Sequence, residues 1–256
     1  MTSLFDLTGQ TAIITGSSRG IGKAIAHRMA EAGATVIISS RKQDACDAAA
    51  DEINSAVGRS AALSFAANIA AKDALQALVD FTVERCGQVD HLVCNAASNP
   101  YFGPMGGIAD EQFLKILQNN VISNHWLIQM CAPAMVERGQ GSITVVSSIG
   151  GLKASTVIGA YNISKAADLQ LVRNLAAEFG PAGVRVNAIC PGLIKTDFAR
   201  ALWDNPDILK QATAGSALKR IGMPDEIAGM AVFLASPAGA FTTGQAMVID
   251  GGATIV

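Results

Sequence analysis

The feature that most constrains this chain is a repeated switch of hydrophobic period. Short runs rich in Val, Ile and Thr lie at residues 11–15, 35–39, 61–65, 91–95, 142–147, 185–190 and 246–249. Between them run longer, Ala-rich amphipathic stretches at 21–32, 43–57, 72–86, 110–138, 159–179 and 225–234. The first set reads as strands and the second as helices. The early strands are apolar at successive positions, as expected of parallel strands covered by helices on both faces. Strands alternating with helices through right-handed crossovers predict an α/β fold with a doubly wound parallel sheet. No repeat, low-complexity tract or Pro-rich linker divides the 256 residues, so one domain over 1–256 is expected.

Composition excludes several classes of function. A net charge of -2 lacks the basic excess of a nucleic-acid binder. Five widely spaced Cys with no C-x-x-C, and three scattered His, predict neither a disulfide framework nor a metal site. Such cysteine usage fits a reducing cytoplasm. Residues 1–9 carry no leader pattern. The uncharged stretch 227–249 is interrupted by Pro237, Gly239 and Gly244, and reads as a buried helix, a turn and a strand rather than a membrane span.

The first strand ends in Thr15-Gly16-Ser17-Ser18-Arg19-Gly20-Ile21-Gly22, where a helix begins. Gly16 permits a tight turn, Gly20 lets the backbone approach a pyrophosphate, and Gly22 lets helix and sheet pack closely. The helix start adds free N–H groups and partial positive charge for the phosphates. A dinucleotide site that holds a ribose 2′-hydroxyl usually has an acid about 20 residues further on. Here Ser39-Ser40-Arg41-Lys42 stands there, without a carboxylate. Arg41, with Ser40 and Arg19, suits a 2′-phosphate instead, so NADP(H) is expected over NAD(H).

Tyr161 and Lys165 are four apart within a helical stretch and therefore share a face. A nearby ammonium favours phenolate, which readies a tyrosine for proton transfer. Ser148, at the end of the fifth strand, places a hydroxyl where a substrate oxygen could be steadied. Residues 193–215 lack clean periodicity and carry Phe198, Leu202 and Trp203, the pattern of a lid over the carboxyl ends of the strands. Phe198 and Trp203, with Tyr101 and Phe102, are expected to wall an apolar pocket. Cys94 and Cys190 read as buried hydrophobes, and His125 as an interface or core residue.

Together these motifs resemble the short-chain dehydrogenase/reductase family over nearly the whole chain. The resemblance rests on Thr15 to Gly22, Asn95-Ala96-Ala97, Asn120, Ser147-Ser148, Tyr161 to Lys165, Pro191-Gly192 and Asp250-Gly251-Gly252. Ser39-Ser40-Arg41-Lys42-Gln43, Asn99-Pro100-Tyr101-Phe102-Gly103 and Pro191-Gly192-Leu193-Ile194-Lys195-Thr196 look most like its NADPH-dependent carbonyl and retinal reductases. The resemblance implies a Rossmann-type sheet of seven strands and a homotetramer, with the helices bearing Asn120 and Tyr161 at a subunit interface. It implies hydride transfer between nicotinamide and a carbonyl or secondary alcohol. Tyr161 would then be the general acid and base, Ser148 would orient the substrate, and Lys165 would bind the nicotinamide ribose. Asn120 would hold a water linking Lys165 to solvent. For the cofactor it implies contacts from Gly16, Ser18, Arg19, Gly20, Ile21, Gly22, Ser40 and Arg41. Further contacts fall to Asn68, Ile69, Asn95, Ala96, Tyr161, Lys165, Ile194 and Thr196.

Two positions depart from the family pattern. Ala97 stands where Gly is usual, and Asn68 where Asp is usual. Asn68 can still accept from an adenine amino group but carries no charge, so adenine binding is expected to weaken without loss of activity. Two other readings stand beside the leading one. A 3-oxoacyl-carrier-protein reductase would need a basic patch, which Lys195, Arg200, Lys210, Lys219 and Arg220 could supply. A nicotinamide-sensing protein without chemistry would not need Ser148, Tyr161 and Lys165.

Overall fold

The computed structural model describes residues 4–256; residues 1–3, part of the stretch read above for a leader, lie outside the described residues. Seven strands form one parallel sheet: β1 (Thr11–Thr15), β2 (Thr35–Ser39), β3 (Ala62–Ser64), β4 (His91–Cys94), β5 (Gly141–Val146), β6 (Val184–Pro191) and β7 (Ala246–Ile249). Their spatial order is β3-β2-β1-β4-β5-β6-β7. The order reverses between β1 and β4, where Ile14 lies opposite Val93. In a doubly wound sheet the crevice at such a reversal receives the ligand.

Successive side chains along a strand point to opposite faces, and the core divides accordingly. Ile14, Ile38 and Val93 face α1 (Gly20–Glu31), α2 (Gln43–Val57) and α8 (Pro224–Ala235), and pack with Ile25, Met29, Ile53 and Ile227. Ile13, Ile37 and Leu92 face α3 (Lys72–Cys86), α5 (Ser123–Arg138) and α6 (Gly159–Phe179), and pack with Leu75, Leu127, Ile128 and Val172. Burial on both faces explains why these strands read as unbroken apolar runs.

Two expected elements are subdivided. The single helix expected over 110–138 is α4 (Asp110–Leu117), a π turn at Gln118–Ile122, and α5. The Ser123 N–H donates to the Gln118 carbonyl, five residues back. The aperiodic 193–215 stretch is ordered as a 3-10 turn (Asp197–Leu202) and α7 (Pro206–Thr213). Asn205 caps α7 by accepting from the N–H groups of Asp207 and Ile208. Its period was hidden because each piece is too short to show one. Among the described residues, no helix is long and apolar enough to cross a membrane.

Candidate active site

The carboxyl ends of β1 and β4 are tied together by one asparagine. The Asn95 amide donates to the carbonyls of Thr15 (2.9 Å) and Gly16 (3.1 Å). The Thr15 hydroxyl accepts from the N–H groups of Asn95 and Ala96, both at 3.1 Å. Asn95 thus buttresses the glycine turn from behind, and Ala96 lines the same junction. Gly16 and Gly20 both have positive φ, +65° and +59°. A Cβ on Gly22 would sit 2.5 Å from both the Asn95 amide nitrogen and the Gly16 carbonyl oxygen, so helix and strand touch there without a side chain between them.

The start of α1 is suited to an anion. No side chain caps it, and its first turn holds no acid. The N–H groups of Gly20, Ile21 and Gly22 therefore face the end of β1 without a protein carboxylate, beside half-buried Ser18. This is the arrangement a pyrophosphate needs. At the end of β2, the Ser40 hydroxyl lies 3.2 Å from the Cys46 sulfur, and Arg41 is exposed. Arg19 is held elsewhere: its guanidinium pairs with Asp197 at 3.1 Å, and Asp197 also takes Arg200. Asn68 is exposed and its side-chain oxygen accepts from the Ala70 N–H, with Ile69 half-buried beside it. Half-buried Ala97 follows Ala96 in the loop after β4.

The remaining residues gather at the ends of β5 and β6. Ser148 leaves β5 in extended conformation, and its hydroxyl oxygen accepts from the Gly150 N–H at 3.0 Å. One turn of α6 carries Tyr161 and Lys165. The Lys165 side chain is only 2% exposed. Its ammonium donates to the Val146 carbonyl (2.9 Å) and to Asp168 Oδ2 (3.1 Å), and lies 5.7 Å from the Tyr161 ring centre. Burial opposes the ammonium, but the charges of Asp168 and Tyr161 outweigh it and hold Lys165 above the usual lysine range. Burial likewise pushes Asp168 up, against the pull of Lys165 and of Asn124. Ile194 is buried and pairs across to Gly222, with half-buried Thr196 just beyond.

Asn120 lies in the π turn, fully buried. Its amide is committed to protein: the oxygen accepts from the Ser98 N–H (2.8 Å), and the nitrogen donates to the Ser98 carbonyl and the Ser164 hydroxyl, both at 3.0 Å. Its backbone carbonyl takes the Asn124 amide at 2.6 Å.

The aromatic wall is only partly assembled. Phe198 stands 6.0 Å from Tyr161, ring centre to ring centre. Trp203 instead donates to the Thr196 carbonyl at 2.8 Å and lines a cleft of about 490 Å³ beside Gly20 and Lys23. Neither Ser148 nor Tyr161 borders that cleft. Tyr101 is turned back on the Pro104 carbonyl, and Phe102 is exposed. His125 is exposed as well, not in the core, because α5 turns that position outward. Cys94 and Cys190 are buried and free, as expected. Asp168 and Asn124 escaped the sequence reading. The available signal was an acid on the buried face of α6, three residues after Lys165.

The family model described as enoyl-(acyl carrier protein) reductase matches residues 16–254. Dehydrogenase/reductase SDR family member 4 of Bos taurus is 40% identical over 247 residues, 96% of this chain and 88% of its own length. This chain is a short-chain dehydrogenase/reductase. Gluconate 5-dehydrogenase from Burkholderia cenocepacia J2315, solved with NADP and tartrate, matches this short-chain dehydrogenase/reductase with a TM-score of 0.93 at 31% identity, over 98% of each chain. A 7α-hydroxysteroid dehydrogenase, solved with NADH and 7-oxo glycochenodeoxycholic acid, matches with a TM-score of 0.91 at 36% identity, over 97% of this chain and 95% of its own. Family membership makes the chain an oxidoreductase that moves hydride between a nicotinamide cofactor and a carbonyl or alcohol.

Proposed function

We propose that Tyr161, Ser148 and Lys165 perform the acid–base half of this reaction on a small carbonyl or secondary alcohol, with NADP(H) preferred over NAD(H). The observation that carries the reading is the buried, charged Lys165 fixed one helical turn from Tyr161. Bound nicotinamide supplies or accepts the hydride at the substrate carbon. In reduction, Tyr161 gives its phenolic proton to the substrate oxygen; in oxidation, the phenolate takes the alcohol proton back. The Ser148 oxygen accepts from Gly150, which leaves its hydrogen free to donate to the substrate oxygen. Lys165 has three donors, of which Val146 and Asp168 use two; the third is left for the cofactor ribose.

The uncapped start of α1 would receive the pyrophosphate through Gly20, Ile21 and Gly22, with Gly16 and Ser18 shaping the turn. Asn68 and Ile69 flank the adenine side, Asn95 and Ala96 back the ribose, and Ile194 and Thr196 meet the nicotinamide amide. Ser40 and Arg41 would take the 2′-phosphate. Residues 193–215 serve as the lid, through Phe198 over Tyr161.

Ion pairing favours a small substrate over an acidic carrier protein. Arg200 is paired with Asp197 and Arg220 with Glu226, so two of the five cations of that patch are neutralised. Leu114 on α4, Ile122 in the π turn and Ile163 on α6 are exposed apolar residues on the helices that would form a homotetramer interface. The free cysteines Cys46, Cys94, Cys131 and Cys190 are buried thiols that suit a cytoplasmic protein.

The test is Tyr161→Phe, assayed on a ketone panel with both cofactors. Turnover should fall by ~10²–10⁴-fold with cofactor binding nearly unchanged. Near-normal turnover in the folded variant would remove Tyr161 from the role.

A further inference from the structure

Asp168 is a carboxylate with no exposed surface, placed inside a helix–sheet interface. Burying a carboxylate costs several kcal/mol unless a partner compensates, and replacing a whole buried ion pair by apolar residues is often neutral or stabilising. Packing therefore gives no reason for an acid here. The surroundings do. Asp168 follows Lys165 by three positions and Tyr161 by seven, so all three lie along one face of α6. One of its oxygens accepts from the Lys165 ammonium at 3.1 Å, and the other from the Asn124 amide at 3.1 Å. The same Asn124 nitrogen reaches the Asn120 carbonyl at 2.6 Å. A closed chain thus runs from Lys165 through Asp168 and Asn124 to the π turn.

We infer that Asp168 is a positioning residue: it is the counter-ion of Lys165, fixes where the ammonium sits, and sets the pH at which Tyr161 exchanges its proton. The inference rests on the acid–base reading of Tyr161 given above. Its logic is electrostatic. A lysine with an adjacent carboxylate presents a partly cancelled charge to Tyr161, whereas a lysine without one presents a full charge. The same carboxylate offsets the burial that disfavours the ammonium, so removing it lowers the pH at which Lys165 loses its proton without discharging it near neutrality. The other titratable groups that act on the pair are Cys94 on β4 and Cys190 on β6, and Cys94 in turn meets Cys131 on α5. Burial pushes all three thiols up, Cys131 to about 12 and Cys190 to about 11, so they stay neutral through the working range. Tyr161, on the same helix, is the remaining coupled group.

The test is the pH profile of alcohol oxidation in wild type, Asp168→Asn and Tyr161→Phe. In Asp168→Asn the rising limb should move down by about one pH unit, and a falling limb should appear at high pH as Lys165 loses its proton. A purely structural role would lower activity without moving either limb. A midpoint that stays put or moves up, while Tyr161→Phe is inactive, overturns the role of Asp168 alone. Near-normal activity in Tyr161→Phe overturns the acid–base reading and this inference with it. The pairing is tested independently by stability. Asp168→Leu leaves an unpaired buried ammonium and should melt roughly 10 °C below wild type, while Lys165→Met/Asp168→Leu removes both charges and should recover most of that loss. A double variant that melts no higher than Asp168→Leu overturns the counter-ion assignment.

Discussion

Cofactor choice can be dissected because Arg41 and Arg19, the two arginines expected to meet a 2′-phosphate, differ in what they already hold. Arg41 is exposed at the end of β2 and follows a half-buried Ser40. Arg19 is paired with Asp197, which is shared with Arg200 and held below the usual carboxylate range first by its bond to Arg200. A charge-assisted contact to phosphate contributes ~1.5–3 kcal/mol, and exposure places Arg41 at the lower end. Arg41→Ala should therefore weaken NADP(H) by about tenfold and leave NAD(H) nearly unchanged. Arg19→Ala should cost less, since that guanidinium must leave Asp197 before it can meet the phosphate. Asp197→Asn supplies the opposite sign: it releases Arg19 and should tighten NADP(H) without affecting NAD(H). Dissociation constants from fluorescence titration of both cofactors on wild type and the three variants decide the matter. Equal wild-type affinity for the two cofactors, or an equal loss for both in Arg41→Ala, would refute the charge argument.

Two further outcomes concern the scaffold. Gly22→Ala puts a methyl 2.5 Å from the Gly16 carbonyl and the Asn95 amide, and so breaks the two bonds by which Asn95 holds the turn; a loss of about 2–4 kcal/mol and much weaker cofactor binding should appear in denaturant titrations and in Kd. His91 is buried against Gln10, and burial, with the nearby Arg185, holds its imidazole down to about 3. The unfolded imidazole titrates near ~6.5, so the unfolded chain takes up a proton that the folded chain refuses. His91 is thus neutral to stability above about pH 6.5, and stability falls as pH drops from there towards about 3, by about 2 kcal/mol at pH ~5. His91→Gln should flatten that dependence in denaturation midpoints compared at pH ~7.5 and ~5; an unchanged slope would exclude His91 as its source.

The sheet was legible because both of its faces are buried: Ile13 and Ile14, Ile37 and Ile38, and Leu92 and Val93 serve opposite cores and so read as continuous apolar strands. Gly16, Gly20 and Gly22 were legible because tight turns and close packing demand the absence of a side chain. What escaped depends on contacts distant in sequence. Nothing local to Trp203 says that its indole binds the Thr196 carbonyl, or that Tyr101 turns back to Pro104. Arg19 looked available because Asp197, its partner, lies far along the chain. Asp168 escaped because Asn124, which with Lys165 gives it its partners, lies on another helix. The π turn was invisible because its residues, Gln118 to Ile122, have no propensity that separates it from an α-helical turn.

That π turn holds one residue more than an α-helical path would need. One helical residue corresponds to about 100° of rotation. The wider turn absorbs that extra residue, so α5 keeps the phase that a chain one residue shorter would give it: Leu127, Ile128 and Cys131 face the sheet, and Asn124 faces Asp168. Deleting a single residue between Gln118 and Ile122 would therefore give a more regular helix with α5 in nearly the same register, and the loss would fall on the turn itself, where Asn120 meets Ser98 and Ser164. An insertion or deletion inside α5 has no such turn to absorb it and would swing the helix beyond it by about 100°. Length is thus negotiable at the π turn and fixed after it.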